Sequence, residues 1–355
     1  GVLHSGIYYD PGSLKAKVCV DGAKRLKQWI KDRKLPLNNC GKIIVPTKTE
    51  QDYQLELLLK RGKKNGATVE ILDENQLKEL EPEVRSVTGR AIWSPNTVVV
   101  DPKSVICKLE NELINKGIDI IKDQKTWLNS LDSKFITLNS GEKIYYEHLI
   151  NCTGLQADSV AHRFKVGLNF RILPFKGLYW KLKDSCPIKI NRNIYPVPDL
   201  NLPFLGVHFT PSAGINKEVS IGPTATPALG RYNYRALEGI EPLNACSNIY
   251  QIAKQYFLNK GGFRKYTHEQ LFLALPYLLH KSAQELVPSI RSEHIERSKK
   301  IGIRSQLYNL TTQKLENDFL CLEGENSTHV LNAISPAFTA SFSLADLIIN
   351  RTPLI

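Results

Sequence analysis

The chain has 355 residues, of which 42% are hydrophobic and 23% are charged, and this composition excludes a disordered or a fibrous protein. Its longest apolar runs are far shorter than the roughly 20 residues that cross a bilayer, which argues against a membrane-spanning protein. The 47 Lys and Arg residues exceed the 35 Asp and Glu residues, giving a formal charge of +12. Such a charge is compatible with nucleic acid, an anionic membrane surface or an acidic substrate.

The first third of the chain alternates between helical and strand-like patterns. A turn and a capping serine at 10–13 precede an approximate helical period, which predicts a helix over 13–34. Three more helices are predicted at 51–64, 75–80 and 102–116. Short apolar runs predict strands at 42–46, 69–72, 91–94, 97–100 and 118–121.

The rest of the chain has a different character. A hairpin is predicted at 135–146, followed by an apolar strand that enters a small-residue turn at 148–154. Short alternating runs then indicate an antiparallel sheet, at 178–181, 188–190, 204–209 and 219–221. Helices are predicted at 242–256, 269–279 and 335–349, and a strand at 319–322. These patterns predict a two-lobe α/β plus α+β architecture whose nucleotide-binding lobe is discontinuous.

Cysteines and short motifs narrow the functional classes. Seven scattered Cys residues without a C-x-x-C pair argue against a disulfide framework or a metal site and favour a reducing, cytoplasmic location. The basic clusters at 60–64 and 297–300 have no interleaved aromatic residues, so no nucleic-acid partner is expected. No G-x-G-x-x-G fingerprint occurs, which by itself argues against a dinucleotide-dependent enzyme.

Longer blocks point in the opposite direction. They are GVLHSGIYY at 1–9, PGSLKAK at 11–17, CGKIIV at 40–45, INCTGL at 150–155, LPFKG at 173–177, IYPVPD at 194–199, PFLGVHFT at 203–210, GIR at 302–304 and STHVLNAISPA at 327–337. In this order they resemble the L-2-hydroxyglutarate dehydrogenase/oxidase family, which is FAD-dependent and belongs to the D-amino-acid-oxidase-like superfamily. The resemblance covers nearly the whole chain and is far more specific than any single motif.

The resemblance implies a two-lobe FAD-dependent oxidoreductase, with a discontinuous Rossmann-like FAD lobe and a mainly antiparallel substrate lobe. The FAD lobe would comprise residues 1–35, 101–165 and 300–355, and the substrate lobe residues 36–100 and 166–299. The family's Gly-rich βαβ precedes the block that opens this chain, and the sequence contains no Met. We therefore expect that the N-terminal βαβ is missing here and that its loss explains the absent fingerprint.

The implied reaction is the oxidation of L-2-hydroxyglutarate to 2-oxoglutarate by hydride transfer to FAD. His4 is the candidate base, because histidine titrates near neutral pH and its segment lies against the flavin in the family. Arg304, on a predicted Gly-Ile-Arg turn, is expected to clamp the substrate's C1 carboxylate. Lys176 and His208 are expected to reach a second carboxylate or the oxo group, and Tyr9 to contact the substrate.

The cofactor-binding residues follow from the same blocks. Ser335 is predicted to cap a helix whose N-terminus faces the flavin and stabilises negative charge on it. The full predicted set is Gly1, Val2, Cys152, Thr153, Gly154, Asp158, Thr328, His329, Leu331, Asn332, Ala333 and Ser335. Lys15 and Lys17 are expected to be solvated helix lysines or structural contacts, and no metal is expected.

Three alternatives remain at this stage. A related flavoenzyme that oxidises an amine, an amino acid or glycerol 3-phosphate would keep the same frame. The chain could also be an inactive truncated fragment of such an enzyme, or a basic nucleic-acid-binding protein. For the enzyme, quinone or oxygen is the expected electron acceptor, and the charge of +12 would suit peripheral contact with the inner face of a membrane.

Overall fold

The structure is a computed structural model that describes residues 1–124, 131–132, 134–199, 206–214, 218–235, 238–259, 264, 267–268 and 276–352. Within these ranges the helices are α1 Leu14–Asp32, α2 Asp52–Lys64, α3 Glu74–Leu80, α4 Pro102–Asn115, α5 Ala157–Arg163, α6 Pro242–Leu258, α7 Pro276–Leu286 and α8 Ala337–Ile349. None of them is both long enough and apolar enough to span a bilayer.

The strands follow the chain in four sheets. They are β1 Val2–Leu3, β2 Leu37–Asn38, β3 Lys42–Val45, β4 Glu70–Leu72, β5 Ala91–Ser94, β6 Val98–Val100, β7 Phe135–Thr137, β8 Lys143–Tyr145, β9 Leu149–Asn151, β10 Phe170–Leu182, β11 Asn193–Pro196, β12 His208–Pro211, β13 Val219–Gly222, β14 Thr226–Pro227, β15 Ile295–Asn309, β16 Lys314–Leu315, β17 Cys321–Gly324 and β18 Ser327–Val330. The largest sheet has ten strands, ordered β16-β15-β10-β13-β12-β11-β3-β5-β4, with β14 also on β10.

Helix starts agree with the sequence where a side chain caps them. The Ser13 hydroxyl accepts a hydrogen bond from the backbone N–H of Ala16 at the start of α1. Asp101 accepts bonds from two N–H groups of α4, and Pro102 occupies the first helical position. Both helices were predicted within two residues of their observed ends, because cap chemistry is local.

The large sheet departs from the prediction mainly in its longest pair. Strands β10 and β15 pair antiparallel from Phe170↔Asn309 to Leu182↔Ile295. The predicted turn at 302–304 is therefore wrong, since Gly302 and Arg304 lie in the extended strand β15. The polar sequence of this strand, IERSKKIGIRSQLYN, lacks the apolar alternation by which strands are recognised.

Other predictions are confirmed or corrected element by element. The antiparallel sheet is confirmed for β10, β12 and β13, but β11 pairs with β3 in parallel. Residues 118–121 and 188–190 are irregular, because apolar character alone does not supply a pairing partner. The strand predicted at 319–322 begins at Cys321, and of the helix predicted at 269–279 only the part from 276 lies within the described residues.

Strand β3 lies where the large sheet is covered on both faces. Ile43 and Val45 pack into a core that includes α3 and α7, while Ile44 packs with α2 on the opposite face. A strand buried on both faces is a continuous apolar run, as the sequence KIIV is after its first residue. That first residue, Lys42, is buried with the rest of the strand.

A smaller sheet, β17-β18-β9, contains the parallel pair β18–β9 and lies beside α1 and α8. The two helices pack closely at Gly22, where a Cβ atom would lie 2.6 Å from Cα of Ala340. A third sheet, β1-β6-β2, joins segments that the sequence assigned to different lobes. The lobe boundaries themselves stay a prediction.

A buried ion pair connects α5 to the loop after β14. The guanidinium of Arg231 holds both carboxylate oxygens of Asp158, with 2.9 Å between Nη2 and Oδ2, and it also donates to the carbonyl of Leu155. Asp158 is 2% exposed and Arg231 is 7% exposed. Removal of one partner would leave an uncompensated charge away from water.

We predict that Arg231→Met lowers the free energy of unfolding by about 3–5 kcal/mol, because it strands the Asp158 carboxylate. Chemical denaturation of the purified protein measures this loss. The control is Arg25→Met, which breaks the exposed pair with Asp346 and should cost less than about 1 kcal/mol. Equal losses for the two variants would contradict the assignment of Arg231 as a buried anchor.

Candidate active site

His4 is held by backbone contacts at the point where the chain leaves β1. Its N–H donates to Oγ1 of Thr339 on α8, at 3.1 Å. Its carbonyl accepts a hydrogen bond from the thiol of Cys19 on α1, at 3.4 Å. Two helices that pack on each other thus fix the position of the imidazole.

The imidazole of His4 connects two parts of the fold. Its Nδ1 lies 3.3 Å from Nζ of Lys42, the first residue of β3. Its Nε2 lies 3.4 Å from Oγ of Ser335, which is exposed in the loop before α8. Burial, followed by the nearby Lys42 charge, holds the pKa of His4 well below its ordinary value of 6.5. The ring is therefore neutral at pH 7, as a base must be.

Lys42 is a buried amine that has no acidic partner among the described residues. It is 0% exposed, and no carboxylate in the described part of the chain lies within ion-pair distance of its Nζ. Its Nζ lies over the rings of Tyr8 and Tyr195, at 5.1 and 4.4 Å from their centroids. Burial lowers the pKa of Lys42 to about 7, because an ammonium group loses its hydration there.

His208, on β12, continues this arrangement along the large sheet. Its ring stacks on Tyr195, with centroids 3.9 Å apart, and Nδ1 donates to the carbonyl of Gly206 at 2.8 Å. Burial lowers the pKa of His208 to about 3, so this ring is also neutral. The Arg304 guanidinium contributes to the lowered pKa values of both His4 and His208, which places its charge near both rings.

Arg304 also lines a cavity of about 190 Å³ on one face of the paired strands β10 and β15, beside residues 223–225. Gly177 and Gly302 face each other across the two strands, and a Cβ on Gly302 would meet no atom within 4 Å. Tyr179 and Thr224 complete the polar part of the wall. A cavity walled by glycines and closed by a guanidinium can take a small carboxylate.

Further cations surround this region. Lys15 is 7% exposed and lies between the rings of Tyr9 and Phe319, and burial lowers its pKa to about 8. Lys300 lies 4.5 Å from the centroid of Tyr179. Lys15 is thus a buried contact and Lys17 is solvated, which matches the two roles expected for them.

Lys176 lies outside this arrangement. Side chains alternate along β10, and Phe175, Gly177 and Tyr179 line the cavity while Lys176 points to the other face. There its Nζ donates to Oδ1 of Asn233, at 2.8 Å. The structure therefore brings together His4, Arg304, His208 and the region of Tyr9, but not Lys176.

Many of the predicted cofactor-binding residues lie at one edge of the small sheet. Because β9 and β18 are parallel, the segments that follow them, 152–154 and 331–335, leave the same edge. Cys152 and Thr153 are exposed there, and Oδ1 of Asn332 is buried without a hydrogen-bond partner among the described residues. Carboxyl ends of parallel strands are where dinucleotides bind, so these residues fit FAD.

Other residues of that predicted set make contacts within the protein. Asp158 is occupied by Arg231, and the ring of buried His329 contacts Asn151 and Ser327. Oγ1 of Thr328 lies 2.9 Å from Nε2 of His148. At the start of the chain, the carbonyl of Gly1 accepts the N–H of Val100. Their roles at the cofactor stay predictions.

The helix start at Ser335 is a correction. Helix α8 begins at Ala337, Pro336 is its N-cap, and no side chain caps it. The Ser335 hydroxyl instead approaches Nε2 of His4, so it is turned away from the free N–H groups of the helix.

Lys42 is the residue that sequence reasoning missed. It was treated as the first residue of a buried strand, although a charged residue is rarely fully buried unless it is paired. The available signal was a lysine at the start of a continuous apolar run, directly after Gly41. Position on the strand alone could not indicate that its amine reaches His4.

Comparison with known proteins identifies the relatives of this arrangement. The sequence model described as FAD dependent oxidoreductase (DAO) matches residues 1–351. L-2-hydroxyglutarate dehydrogenases are similar over almost the whole chain: that of Indibacter alkaliphilus is 35% identical over 97% of this chain and 85% of its own length, and the mitochondrial one of Caenorhabditis elegans is 33% identical over 100% and 84%. The human mitochondrial enzyme is 32% identical over 98% and 78%.

Solved structures show the same fold at low sequence identity. The L-alpha-glycerophosphate oxidase of Mycoplasma pneumoniae superposes with a TM-score of 0.71 at 19% identity, covering 99% of this chain and 82% of that one. The glycine oxidase of Geobacillus kaustophilus gives 0.66 at 15% identity, covering 100% and 84%. The predicted two-lobe oxidoreductase fold is thereby confirmed.

We predict that Lys42→Met stabilises the protein at low pH and that the gain shrinks as the pH rises. Below about pH 7 the lysine carries its proton in both the folded and the unfolded chain, so folding buries a charge. Between pH 7 and 10.5 only the unfolded chain still holds that proton, and stability rises with pH as the cost of burial disappears. Methionine carries no charge, so Lys42→Met should raise the free energy of unfolding by about 1–4 kcal/mol at pH 6.

Thermal unfolding at pH 6, 8 and 10 tests this expectation. The matched control is Lys17→Met, on the exposed face of α1, which should change the melting temperature little at any of the three values. A Lys42→Met gain that is independent of pH would contradict the titration assigned to this amine.

Proposed function

The chain belongs to the FAD-dependent oxidoreductase family, and we propose that it oxidises L-2-hydroxyglutarate to 2-oxoglutarate. The observation that carries this substrate is the combination of a neutral His4 with the guanidinium of Arg304 beside a cavity. The relatives named for this substrate, at 32–35% identity, support it independently.

The charge of the site favours a substrate with two carboxylates. Three basic side chains, Arg304, Lys15 and Lys300, lie in the neighbourhood of His4 or of the cavity. Among the described residues, Asp318 acts on Lys15 and Glu218 acts on Lys300. A substrate with two carboxylates is attracted by these basic groups, whereas the ammonium group of an amino acid would be repelled by them.

The oxidation removes a proton from the hydroxyl and a hydride from the carbon that bears it. When bound, FAD supplies the two-electron acceptor that this change requires. His4 takes the hydroxyl proton at Nε2, while Arg304 holds the C1 carboxylate by paired hydrogen bonds. The O–H bond breaks, a C=O bond forms, and His4 carries the proton away.

This chain's own residues would hold the cofactor at the edge formed by β9 and β18. Cys152, Thr153 and Gly154 offer backbone groups at that edge, and Asn332 offers the unpartnered Oδ1. Ser335 lies between this edge and His4, since its hydroxyl is 3.4 Å from Nε2.

We further infer that a quinone or oxygen takes the electrons, with the protein peripherally associated with a membrane in the quinone case. Support comes from the net charge of +12, which favours an anionic membrane surface. Oxygen uptake measured against reduction of a soluble quinone distinguishes the two acceptors, and sedimentation with anionic vesicles tests the association.

We predict that L-2-hydroxyglutarate bleaches the flavin absorbance of the FAD-loaded protein under anaerobic conditions. The D enantiomer, glycine and glycerol 3-phosphate should bleach it much more slowly. Only the L-hydroxy diacid can direct its hydroxyl to His4 and its C2 hydrogen to the flavin while its C1 carboxylate is held by Arg304. His4→Gln should slow the bleaching by about 10²-fold or more through loss of the base. Faster bleaching by an amine or by glycerol 3-phosphate would reject the proposed substrate, and an unchanged rate in His4→Gln would reject the base.

We predict that Gly302→Val raises the KM for L-2-hydroxyglutarate at least about tenfold while flavin content and melting temperature stay unchanged. The new side chain has room, since a Cβ at this position meets nothing within 4 Å, but it fills the cavity beside Arg304. Ser305→Val, on the same strand but outside the cavity lining, is the matched control. An unaltered KM in Gly302→Val would remove the cavity from the substrate site.

A further inference from the structure

The proposed reaction assigns no role to Lys42. Its amine is fully buried, and its one hydrogen-bond contact in the described part of the chain is Nδ1 of His4, at 3.3 Å. Burial of an unpaired ammonium group is costly, so a methionine or leucine at position 42 would stabilise the packing more than lysine does. The contact with His4 is therefore the feature to explain.

The protonation of this contact decides whether His4 can act as a base at Nε2. If Lys42 is an ammonium group, it donates to Nδ1, and the single ring proton of neutral His4 resides on Nε2. Nε2 then has no lone pair to accept a hydroxyl proton. If Lys42 is a neutral amine, its lone pair accepts the Nδ1–H of His4, and Nε2 is free. Only the second arrangement gives a base that faces Ser335.

The groups around the pair favour the neutral amine. The basic groups near the pair are His208 on β12, and Arg304 and Lys300, which both lie on β15. Thiols and phenols come from the remaining neighbours, namely Cys19, Cys40, Tyr8, Tyr9, Tyr179 and Tyr195, and burial raises the pKa of each, so they stay uncharged. No carboxylate in the described part of the chain contributes to the pKa of Lys42.

We propose that His4 and Lys42 form a proton relay, in which the proton lost by the substrate hydroxyl enters His4 at Nε2 and the Nδ1 proton passes to the Lys42 amine. The relay rests on the proposed function, since it deepens the role of His4 in that reaction. The substrate O–H bond breaks as Nε2–H forms, and Nδ1–H breaks as a third N–H forms on Lys42. FAD, when bound, would accept the two electrons of the substrate's C–H bond as a hydride, so electrons and protons balance.

The surroundings of Lys42 suit the charge that this transfer creates. The rings of Tyr8 and Tyr195 lie within cation–π distance of Nζ and stabilise an ammonium group there. This stabilisation is weaker than that of a carboxylate, which would keep Lys42 permanently protonated. Lys42 is thus a positioning residue that sets the tautomer of His4 and receives its proton. After the product leaves, the proton returns through the same ring to solvent.

The tautomer of His4 tests the pair without reference to turnover. In FAD-loaded protein labelled with ¹⁵N-histidine at pH 8.5, we expect a neutral His4 that carries its proton on Nδ1, assigned by the signal that disappears in His4→Gln. In Lys42→Met the proton should move to Nε2, which is the commoner neutral form. A proton on Nε2 of His4 in the unmodified protein would overturn the proposal.

Rapid-mixing kinetics test the relay in the reaction. With L-2-hydroxyglutarate, the rate constant of anaerobic flavin reduction should rise with pH through the apparent pKa of the pair and reach a plateau. Lys42→Met should lower the plateau by about 10–10²-fold and abolish the pH step, with little change in substrate affinity. Lys42→Arg should be at least as slow, because a permanent cation donates to Nδ1.

A double variant separates the relay from a purely structural effect. Because Lys42 acts through His4, Lys42→Met should slow the His4→Gln protein no further. If Lys42→Arg keeps the normal rate while Lys42→Met raises only KM, Lys42 binds a carboxylate and the relay is wrong. If L-2-hydroxyglutarate fails to reduce any variant, the proposed function fails, whereas the tautomer measurement still decides the His4–Lys42 pair.

Discussion

The site depends on one constraint, the burial of a lysine that has no carboxylate partner in the part of the chain that the structure describes. Lys42 begins β3, a strand that packs on both faces, so its amine cannot reach water. The nearest group that can share a proton with it is His4, and both groups are held near neutrality by desolvation. A carboxylate in the same place would fix the amine as a permanent ion, and His4 would lose the lone pair that a base needs.

The fold supplies this contact from distant parts of the chain. The parallel pairing of β3 with β11 places Lys42 beside the strand that carries Tyr195, whose ring lies under Nζ. The close packing of α1 on α8 at Gly22 places Cys19 and Thr339 where they anchor the backbone of His4. The two helices thus position His4, the large sheet positions Lys42, and their packing holds the imidazole against the amine.

Local chemistry explains which parts of this were predictable from sequence. Capped helices such as α1 and α4 were predicted to within two residues, since the cap and the apolar period lie in one stretch of chain. Strand β15 was missed because its pairing with β10, not its own polar sequence, makes it a strand. His4 and Arg304 were predicted as site residues through resemblance to a family, and these roles stay predictions. Lys42 was not, because its importance comes from a contact between residues 38 positions apart.

The net charge of +12 says less about the substrate than the positions of a few buried cations do. Most of the chain's cations are solvated or paired, as Arg25 and Arg90 are, and they say little about the substrate. The informative ones are those that burial removes from water, and these lie near His4 and the cavity beside Arg304. A dianionic substrate neutralises such a group more completely than water can, because the same desolvation that depresses the lysine pKa values strengthens their attraction for an anion. Substrate binding should therefore raise the proton affinity of Lys42, which favours the direction of transfer that the relay requires.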